Sequence, residues 1–378
     1  MPHRKPKPRF ITPLSLALTE YLNAHPMSQL DLAEYLNIGE RTLRRYKNGE
    51  DVLTDIKELK RIAELLEIEP EKFGVATSLS LPLTPDEIDT SIDHAWRLIN
   101  AQRCYEANIL ADKLIRDINN LIQTEDATLL RKLAHARHVT GFIKSHITRA
   151  DETAIPFSHY QEMERIARIL GDQTLINVAF TYEGDMLQRG GKIEESIQYL
   201  EAARDTTPLA DVSARGNGIQ LLGRAYFRAG RLADFEQAIK EAEALAHDPS
   251  MDDSANSARQ QYSAGTVYEE YGRSLGLLRQ LKEALAYLDK AQEAFLPVAN
   301  HNREVLMKTA RAMVLVHGGE IQQGIEIAVE SISLCRQQGN VRLLDRIYAV
   351  QQYLDNLARK IGSTGNTLRD ALTGPIEY

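Results

Sequence analysis

The sequence contains very little cysteine and no long apolar run. Its 378 residues include only two cysteines, Cys104 and Cys335, which lie far apart and form no CxxC pair. This excludes a disulfide framework and a cysteine-based metal site, and it favours a reducing compartment. No stretch approaches the roughly 20 apolar residues that cross a bilayer, and the basic N-terminus is not followed by the apolar segment of a secretion signal. We therefore expect a cytoplasmic protein with no membrane contact.

The common catalytic motifs are also missing. There is no HExxH, GxSxG or GxxxxGK[ST] pattern, and Gly216-x-Gly218 lies within a helical pattern rather than after a strand. His135, His138 and His146 can share one helix face, but no carboxylate or cysteine close in sequence completes a metal site. We therefore expect neither an enzyme nor a bound cofactor or metal.

The charge is distributed unevenly along the chain. The net charge is -8, yet residues 1–49 hold eight Lys and Arg against four acids, so the remainder carries -12. Residues 1–10 form a basic arm, which either follows a DNA groove or is a disordered tail. A basic end on an acidic body is typical of a protein that binds nucleic acid with that end alone.

Short apolar-periodic segments separated by turn signals occupy residues 11–75 and predict a bundle of four short helices. The third helix runs from Glu40 to about Asn48 and ends at Gly49. Leu43 and Tyr46 are its only apolar side chains. The rest of its surface is too cationic to be core, so we expect it to be exposed.

The pattern Gln29-x-x-Leu32-Ala33-x-x-Leu36-x-Ile38-x-x-x-Thr42-Leu43-x-x-Tyr46-x-Asn48-Gly49 resembles the Cro/XRE-type helix-turn-helix. In that family the helix after the turn enters the major groove of double-stranded DNA. The resemblance implies that Glu40, Arg41 and Arg45 face base edges. It implies phosphate contacts by Gln29, Thr42, Arg44, Lys47 and Asn48.

Two positions depart from the family pattern. Gly39 stands where Ser or Thr usually caps the recognition helix, and Lys47 stands where the family usually has Glu. A cationic helix can also be a solvated face or part of a protein-binding module. The clustering of Arg and Lys on the predicted groove-facing side favours DNA binding.

Residues 76–85 are uncharged and rich in Pro, Ser and Thr, and they predict a linker to a second domain over 86–361. This domain repeats a turn-then-helix pattern at Gly191, Gly230, Arg279 and Gly319, with offsets of 39, 49 and 40 residues. We count about six repeat units between residues 86 and 336.

The clearest unit, Leu222-Gly223-x-x-Tyr226-x-x-x-Gly230-x-x-x-x-Phe235-x-x-x-Ile239-x-x-Ala242, resembles a tetratricopeptide repeat, although the spacing exceeds the usual 34 residues. The combination is similar to the peptide-pheromone receptors of Gram-positive bacteria, the RRNPP group. The resemblance implies an all-α fold, with the helix-turn-helix bundle followed by a right-handed α-solenoid.

A last helix carries one apolar stripe from Leu343 to Ile361. The stripe indicates either a capping helix packed on the array or a dimerisation surface. We expect residues 362–378 to form a flexible tail.

The first helix of each tetratricopeptide pair lines a concave groove. Polar side chains there suit an extended peptide, although such side chains are more often simply solvated. Carried over by position, the groove residues are Thr181, Asp185, Asn217, Gln220, Arg224, Thr266, Glu269 and Arg273.

Two functions remain open. The first is a homodimeric, sequence-specific transcription regulator that binds a palindromic operator and senses an effector, best a short signalling peptide. The second is a scaffold that binds a protein partner through its array while the helix-turn-helix tethers it to DNA. A pocket of convergent polar groups favours the first, and a broad exposed apolar groove favours the second.

Overall fold

The computed structural model describes residues 12–53, 55–68, 70–73, 83–101, 103–122, 126–251, 261–295, 301–338 and 340–373. Within these ranges all regular structure is helical, as the sequence predicts. Residues 1–11, and with them the basic arm, lie outside the described part. None of the helices seen here is both long and apolar enough to cross a membrane.

The N-terminal bundle begins with α1 (Pro13–Ala24), α2 (Gln29–Tyr35), α3 (Glu40–Lys47) and α4 (Ile56–Leu65), and closes with a 3-10 turn (Pro70–Phe73). Thr12 and Ser28 cap α1 and α2 with their hydroxyls, each in a capping box. The bundle has an apolar core of its own, centred on Leu18, Leu32, Leu36, Leu43 and Ile62.

Six antiparallel helix pairs and one long helix follow, so the predicted number of about six units is confirmed. The pairs are α5 (Pro85–Asn100) with α6 (Cys104–Leu121), α7 (Ala127–Ile147) with α8 (Ala154–Leu170), α9 (Gln173–Arg189) with α10 (Ile193–Thr206), α11 (Val212–Arg228) with α12 (Leu232–Ala246), α13 (Ala264–Leu277) with α14 (Leu281–Phe295), and α15 (His301–Gly318) with α16 (Ile321–Gln338). The long helix is α17 (Val341–Thr373).

The repeated turns share one backbone geometry. Gly191, Gly230 and Gly319 have φ values of 83°, 76° and 101°, and Arg279 occupies the equivalent place with a φ of 63°. Glycine adopts this left-handed conformation without steric cost, whereas a side chain makes it less favourable. The sequence repeat therefore reflects a need for a left-handed residue at each turn, and glycine occupies this position in three of the four turns.

Close crossing of paired helices explains the small residues of the array. A Cβ placed on Gly184 of α9 would lie 2.6 Å from Cγ of Leu200 in α10, and one on Gly141 of α7 would lie 2.7 Å from the Tyr160 ring in α8. Both distances are below van der Waals contact. Glycine at these positions lets a large side chain of the second helix pack directly on the backbone of the first.

The two ends of the array approach each other. Helix α17 packs against α7 as well as against α15 and α16, and α15 also contacts α5. Stacked helix pairs usually touch only their neighbours along the array. The curvature here is strong enough to bring α17 across the interior, where its first turn meets helices that precede it by more than 150 residues.

The last helix differs from the expectation in length. Residues 362–373, expected to be a flexible tail, continue α17 to Thr373. The first helix-breaking pair after Ile361 is Gly374-Pro375, and proline cannot continue a helix. Residues 374–378 lie outside the described part. Residues 74–82, which include most of the expected linker, lie outside it as well. Helix α5 begins at Pro85.

Candidate DNA-binding surface and interior cavity

Helix α3 turns its cationic side away from the bundle. Leu43 is completely buried in the core. At 100° per residue, Arg41 and Arg45 lie on the opposite face of the helix, with Thr42 and Arg44 on its flanks. The fixed position of Leu43 thus presents two guanidinium groups outward, one helical turn apart.

The other predicted DNA contacts surround this face at the ends of α2 and α3. Glu40 is the first residue of α3 and is exposed, while Gln29 is the first residue of α2 and is half-buried. Lys47 and Asn48 form the end of α3 and are half-buried. Helix N-termini and the loop after a recognition helix are where phosphates are held in helix-turn-helix complexes.

The turn between α2 and α3 has the backbone geometry of a tight connection. Asn37 has a φ of 52°, a left-handed conformation that Asn tolerates better than most residues. Gly39 is the N-cap of α3 and, having no side chain, makes no side-chain cap bond. The departure seen in the sequence therefore leaves the amide groups at the start of α3 without an internal side-chain acceptor.

Two of the residues predicted to contact DNA are bonded to acidic residues that follow α3. The sequence did not indicate these bonds. Arg45 Nη2 lies 2.8 Å from Asp51 Oδ2. Asn48 Nδ2 donates to Glu50 Oε1 at 3.1 Å. Both pairs are at least partly exposed, where ion pairs contribute little free energy. Each side chain can therefore exchange its acidic partner for DNA.

Inside the array, Asp185 of α9 joins helices from three parts of the chain. Its Oδ1 accepts a hydrogen bond from Arg224 Nη1 of α11 at 3.1 Å, and its Oδ2 accepts one from Arg342 Nη2 of α17 at 2.8 Å. Its side chain is almost completely buried. Burial alone would raise the pKa of Asp185, but the charges of Arg342 and Arg224 outweigh it and hold the pKa below its usual value.

Two further carboxylates of α13 continue this arrangement. Glu270 Oε2 accepts from Arg224 Nε at 2.7 Å and also from Arg273. Glu269 Oε1 accepts from Arg273 Nε at 3.1 Å and from Arg346 Nη1 of α17 at 3.2 Å. Opposite charges therefore alternate without a break. In spatial order this charge chain is Arg342, Asp185, Arg224, Glu270, Arg273, Glu269 and Arg346.

A separate ion pair fixes the start of α17. Arg189, at the end of α9, donates to Asp345 Oδ2 at 2.9 Å and to the carbonyl oxygens of Ser145 and Thr148. These two carbonyl groups belong to the end of α7, where helix carbonyls have no partner within the helix. Arg189 thus connects α7, α9 and α17 at one point.

The charge chain borders a cavity of about 130 Å³. Six of the eight predicted groove residues line it, so the structure brings these together. The six are Asp185, Asn217, Gln220, Arg224, Thr266 and Glu269.

The other two predicted groove residues do not line this cavity. Thr181 is completely buried and packs against Gly218 of α11. Arg273 bonds to Glu269 and Glu270 as part of the charge chain. Sequence reasoning also missed lining residues contributed by other helices and by the loop before α13, namely Phe142, His146, Tyr182, Gln261, Arg303, Arg342 and Arg346.

The three histidines considered as metal ligands lie in or near an aromatic cluster. The His138 ring lies edge-on to Trp96 and tilted against Tyr182, with ring centroids 5.2 and 4.8 Å away, and the His146 ring lies 4.4 Å from that of Phe142. Burial lowers the pKa of both histidines to about 3, so they are neutral at physiological pH. Within the described residues, no group of three or more His, Cys, Asp or Glu side chains is placed to hold a metal.

Comparison with known proteins identifies the N-terminal bundle. A helix-turn-helix family model matches residues 18–73, which contain α2, α3 and α4. This region is therefore a helix-turn-helix domain, as the sequence resemblance predicts. No curated protein sequence matches the chain.

Solved structures with a similar arrangement of helices include two regulators. PlcR of Bacillus thuringiensis, solved with the peptide PapR7 and DNA, is 12% identical, with 79% of this chain and 99% of that chain covered and a TM-score of 0.39. ComR of S. thermophilus, solved with DNA and its signalling peptide ComS, is 16% identical, with 81% and 99% covered and a TM-score of 0.39. A signal-transduction ATPase of Pyrococcus horikoshii with a tetratricopeptide sensor is 13% identical, with 95% and 63% covered and a TM-score of 0.41.

Proposed function

We propose that the chain is a sequence-specific transcription regulator that binds double-stranded DNA through α3 and senses a short signalling peptide in the cavity of the helical array. The observation that carries the DNA-binding part is the orientation of α3. With Leu43 buried, Arg41 and Arg45 face outward together at a spacing that suits the major groove.

The contact roles follow from these positions. Arg41 and Arg45, with Glu40, face base edges, because the N-terminal half of a recognition helix lies deepest in the groove. Arg and guanine pair through two parallel hydrogen bonds, whereas Glu accepts from cytosine. The residues assigned to phosphates are Gln29, Thr42, Arg44, Lys47 and Asn48.

The effector part rests on the polar lining of the cavity. The Thr266 hydroxyl donates a hydrogen bond to Gln220 Oε1 at 3.1 Å. In return, Gln220 Nε2 donates to the backbone carbonyl oxygen of Thr266 at 3.2 Å. Asn217 lies beside them in the wall of the cavity. Amide and hydroxyl groups of this kind can exchange their mutual hydrogen bonds for those of a peptide backbone. Convergent polar groups in one cavity favour a ligand-gated regulator over a scaffold.

An apolar groove between α16 and α17 supports the homodimer. Ile325, Val329 and Tyr348 line it and are 40%, 60% and 42% exposed. From Asp355 to Thr364, α17 continues mainly with exposed residues. A second copy covering this face would place two helix-turn-helix domains on one DNA molecule, and two-fold symmetry then requires a palindromic operator.

Selection from random double-stranded oligonucleotides tests the DNA-binding part. The full-length protein is compared with the Arg41→Ala, Arg45→Ala double variant, and with Lys57→Ala as a control that removes an exposed cation from α4. We expect the double variant to lose about 2–6 kcal/mol of discrimination between the selected and random sequences, since each guanine contact contributes about 1–3 kcal/mol. Lys57→Ala should keep the selected sequence.

The dependence of affinity on salt gives a second measurement on the same proteins. Each lost phosphate contact lowers the slope of log K against log salt by about 1. Arg44→Ala should therefore weaken binding to all sequences alike and reduce this slope. The proposal fails if the double variant at Arg41 and Arg45 selects the same sequence as the wild type with the same affinity.

A further inference from the structure

The charge chain begins and ends on the same turn of one helix. Arg342 and Arg346 are four residues apart in α17, so their side chains lie on one face of the helix. Each acid of the chain, Asp185, Glu270 and Glu269, serves two guanidinium groups. In contrast, each of these end arginines is bonded to one acid of the chain only.

Four arginines against three acids leave the charge chain with one excess positive charge. The side chains of Arg342 and Arg346 are 18% and 21% exposed, so water screens this charge poorly. Burial, and next the charge of Arg273, lower the pKa of Arg346 below its usual value. The lowered pKa is the result expected when positive charge accumulates in a buried site.

Among the described residues that line this end of the cavity, no acid outside the charge chain supplies a negative charge. The pair of Arg189 and Asp345 is neutral as a whole. His146 is uncharged. The side-chain nitrogen of Gln261, also in the lining, is a buried donor without an acceptor among the described residues. This end of the cavity thus has one negative charge too few for its arginines, and Gln261 adds a donor that an incoming anion can meet.

The cavity is partly open rather than enclosed. Arg342 and Arg346 both line it, so an acidic group of a longer ligand that enters the cavity can meet both guanidinium groups. The rest of such a ligand can extend through the opening along the inner surface of the array.

We propose that a carboxylate of the effector peptide, either its free C-terminus or an acidic side chain, bridges Arg342 and Arg346. The assignment rests on the proposed function for the peptide itself. The bound carboxylate closes the alternation of charge into a ring and gives Arg342 and Arg346 a common second partner. Hydrogen bonds between guanidinium and carboxylate groups are about twice as strong as those between neutral groups, and the planar guanidinium matches the geometry of a carboxylate.

Binding of this kind would also hold α17 in place. Arg342 and Arg346 reach α9 and α13 through Asp185 and Glu269, and Arg342 additionally lies 3.4 Å from Ser145 Oγ of α7. A carboxylate between the two arginines removes the repulsion within the first turn of α17. The ligand therefore favours the closed arrangement in which α17 contacts α7, α9 and α13.

Two pools of random hexapeptides test the proposal on the full-length wild-type protein. One pool has free C-terminal carboxylates and the other is C-terminally amidated, and captured peptides are identified by mass spectrometry. If the free C-terminus binds, capture from the amidated pool falls at least tenfold. If an acidic side chain binds, both pools are captured and the captured peptides are enriched in Asp and Glu. Equal capture without acidic enrichment overturns the proposal.

Variants locate the binding group. Arg342→Gln and Arg346→Gln should each lower the affinity for a captured peptide at least tenfold, because each removes a charge-assisted hydrogen bond. Arg359→Gln, an exposed arginine further along α17, is the matched control and should change affinity less than twofold. Circular dichroism verifies folding. If a Gln variant does not fold, the comparison of the two peptide pools on the wild type still decides the question.

Succinate and inorganic phosphate separate this proposal from the proposed function. If peptides are captured regardless of their carboxylates, and both Gln variants still capture them, the bridging carboxylate is overturned. Peptide sensing itself then stands. Succinate or phosphate could instead raise the melting temperature only when Arg342 and Arg346 are present, while no peptide is captured. This result would overturn the peptide as the source of the anion. No response to any of these probes overturns both the bridging carboxylate and peptide sensing, whereas DNA binding through α3 has its own test.

Discussion

The carboxylate of Asp185 lies 2.8 Å from the guanidinium group of Arg342, although 157 positions separate the two residues. This contact joins the middle of the array to the first turn of its last helix. Asp185 also accepts from Arg224, so one buried carboxylate holds two arginines from different helices. The relationship makes the first turn of α17 part of the interior of the array.

Removal of one partner of this pair should be costly. Asp185→Asn leaves Arg342 and Arg224 without their shared carboxylate in a buried position, and we expect a loss of about 3–5 kcal/mol in the free energy of unfolding. In a double-mutant cycle with Arg342→Gln, the two effects should couple by about 1–3 kcal/mol. Urea unfolding followed by circular dichroism measures both quantities.

The exposed pair Lys192 and Glu195 provides the control for this cycle. The two side chains are 59% and 54% exposed and 3.3 Å apart. Their cycle should give a coupling of no more than about 0.5 kcal/mol, because water screens the interaction. Additive effects of Asp185→Asn and Arg342→Gln would show that the buried contact contributes nothing to the closed arrangement.

The stability of the array should depend on pH through Glu183. This side chain of α9 is completely buried, and neither of its carboxylate oxygens has a hydrogen-bond partner among the described residues. Burial, and then the charge of Glu164, raise its pKa to about 8, although Arg168 opposes the shift. Glu183 is therefore protonated in the folded protein at pH 6 and ionised in the unfolded chain.

The sign of the pH effect follows from this difference. The folded state binds the proton more tightly, so stability falls as the pH rises from about 4.5 to about 8. Glu183→Gln remains neutral and should be more stable than the wild type at pH 9, by about 2–4 kcal/mol, but nearly equal to it at pH 5. Urea unfolding at several pH values measures the difference. The exposed Glu194→Gln should show no such gain, and an equal gain in both variants would contradict the assignment.

Substitution of glycine by alanine should lower the stability at a helix crossing but raise it on a free helix surface. Gly184→Ala places a methyl group 2.6 Å from Leu200, so we expect a loss of about 1–3 kcal/mol from overpacking. Gly362→Ala in α17 meets no atom within 4 Å and should instead raise stability, by at most about 1 kcal/mol, because alanine favours helix. Thermal unfolding compares the two variants. A neutral Gly184→Ala would mean that α9 and α10 separate readily at this point.

The helix-turn-helix and the number of repeat units could be predicted because both depend on local spacing. The positions of Leu43 and Tyr46 define the buried side of α3, and every other side of the helix then follows from its period. The repeated turns at Gly191, Gly230 and Gly319 likewise mark helix ends directly in the sequence. The partner of Arg45, by contrast, depends on the path of the loop that carries Asp51, which no local pattern determines.

The cavity could be predicted only in part, for the same reason. Asp185, Asn217 and Glu269 belong to repeat units, so their inward direction follows from the position of each residue in its repeat. Arg342 and Arg346 follow the last repeat, and only the curvature of the whole array decides which helices they meet. The one available signal is the cationic pair of Arg342 and Arg346 at the edge of the apolar stripe of α17, since charged side chains beside a buried stripe indicate partners of their own.

The closure of the array between α17 and α7 and between α15 and α5 changes how the protein can lose its structure. In an open array of repeats, each end has a single neighbour, and unfolding can proceed from either end one repeat at a time. Here the terminal helices hold each other, so the first unit cannot separate without disturbing the last. The helical array should therefore unfold as a single cooperative unit, and a peptide that tightens α17 would stabilise every repeat at once.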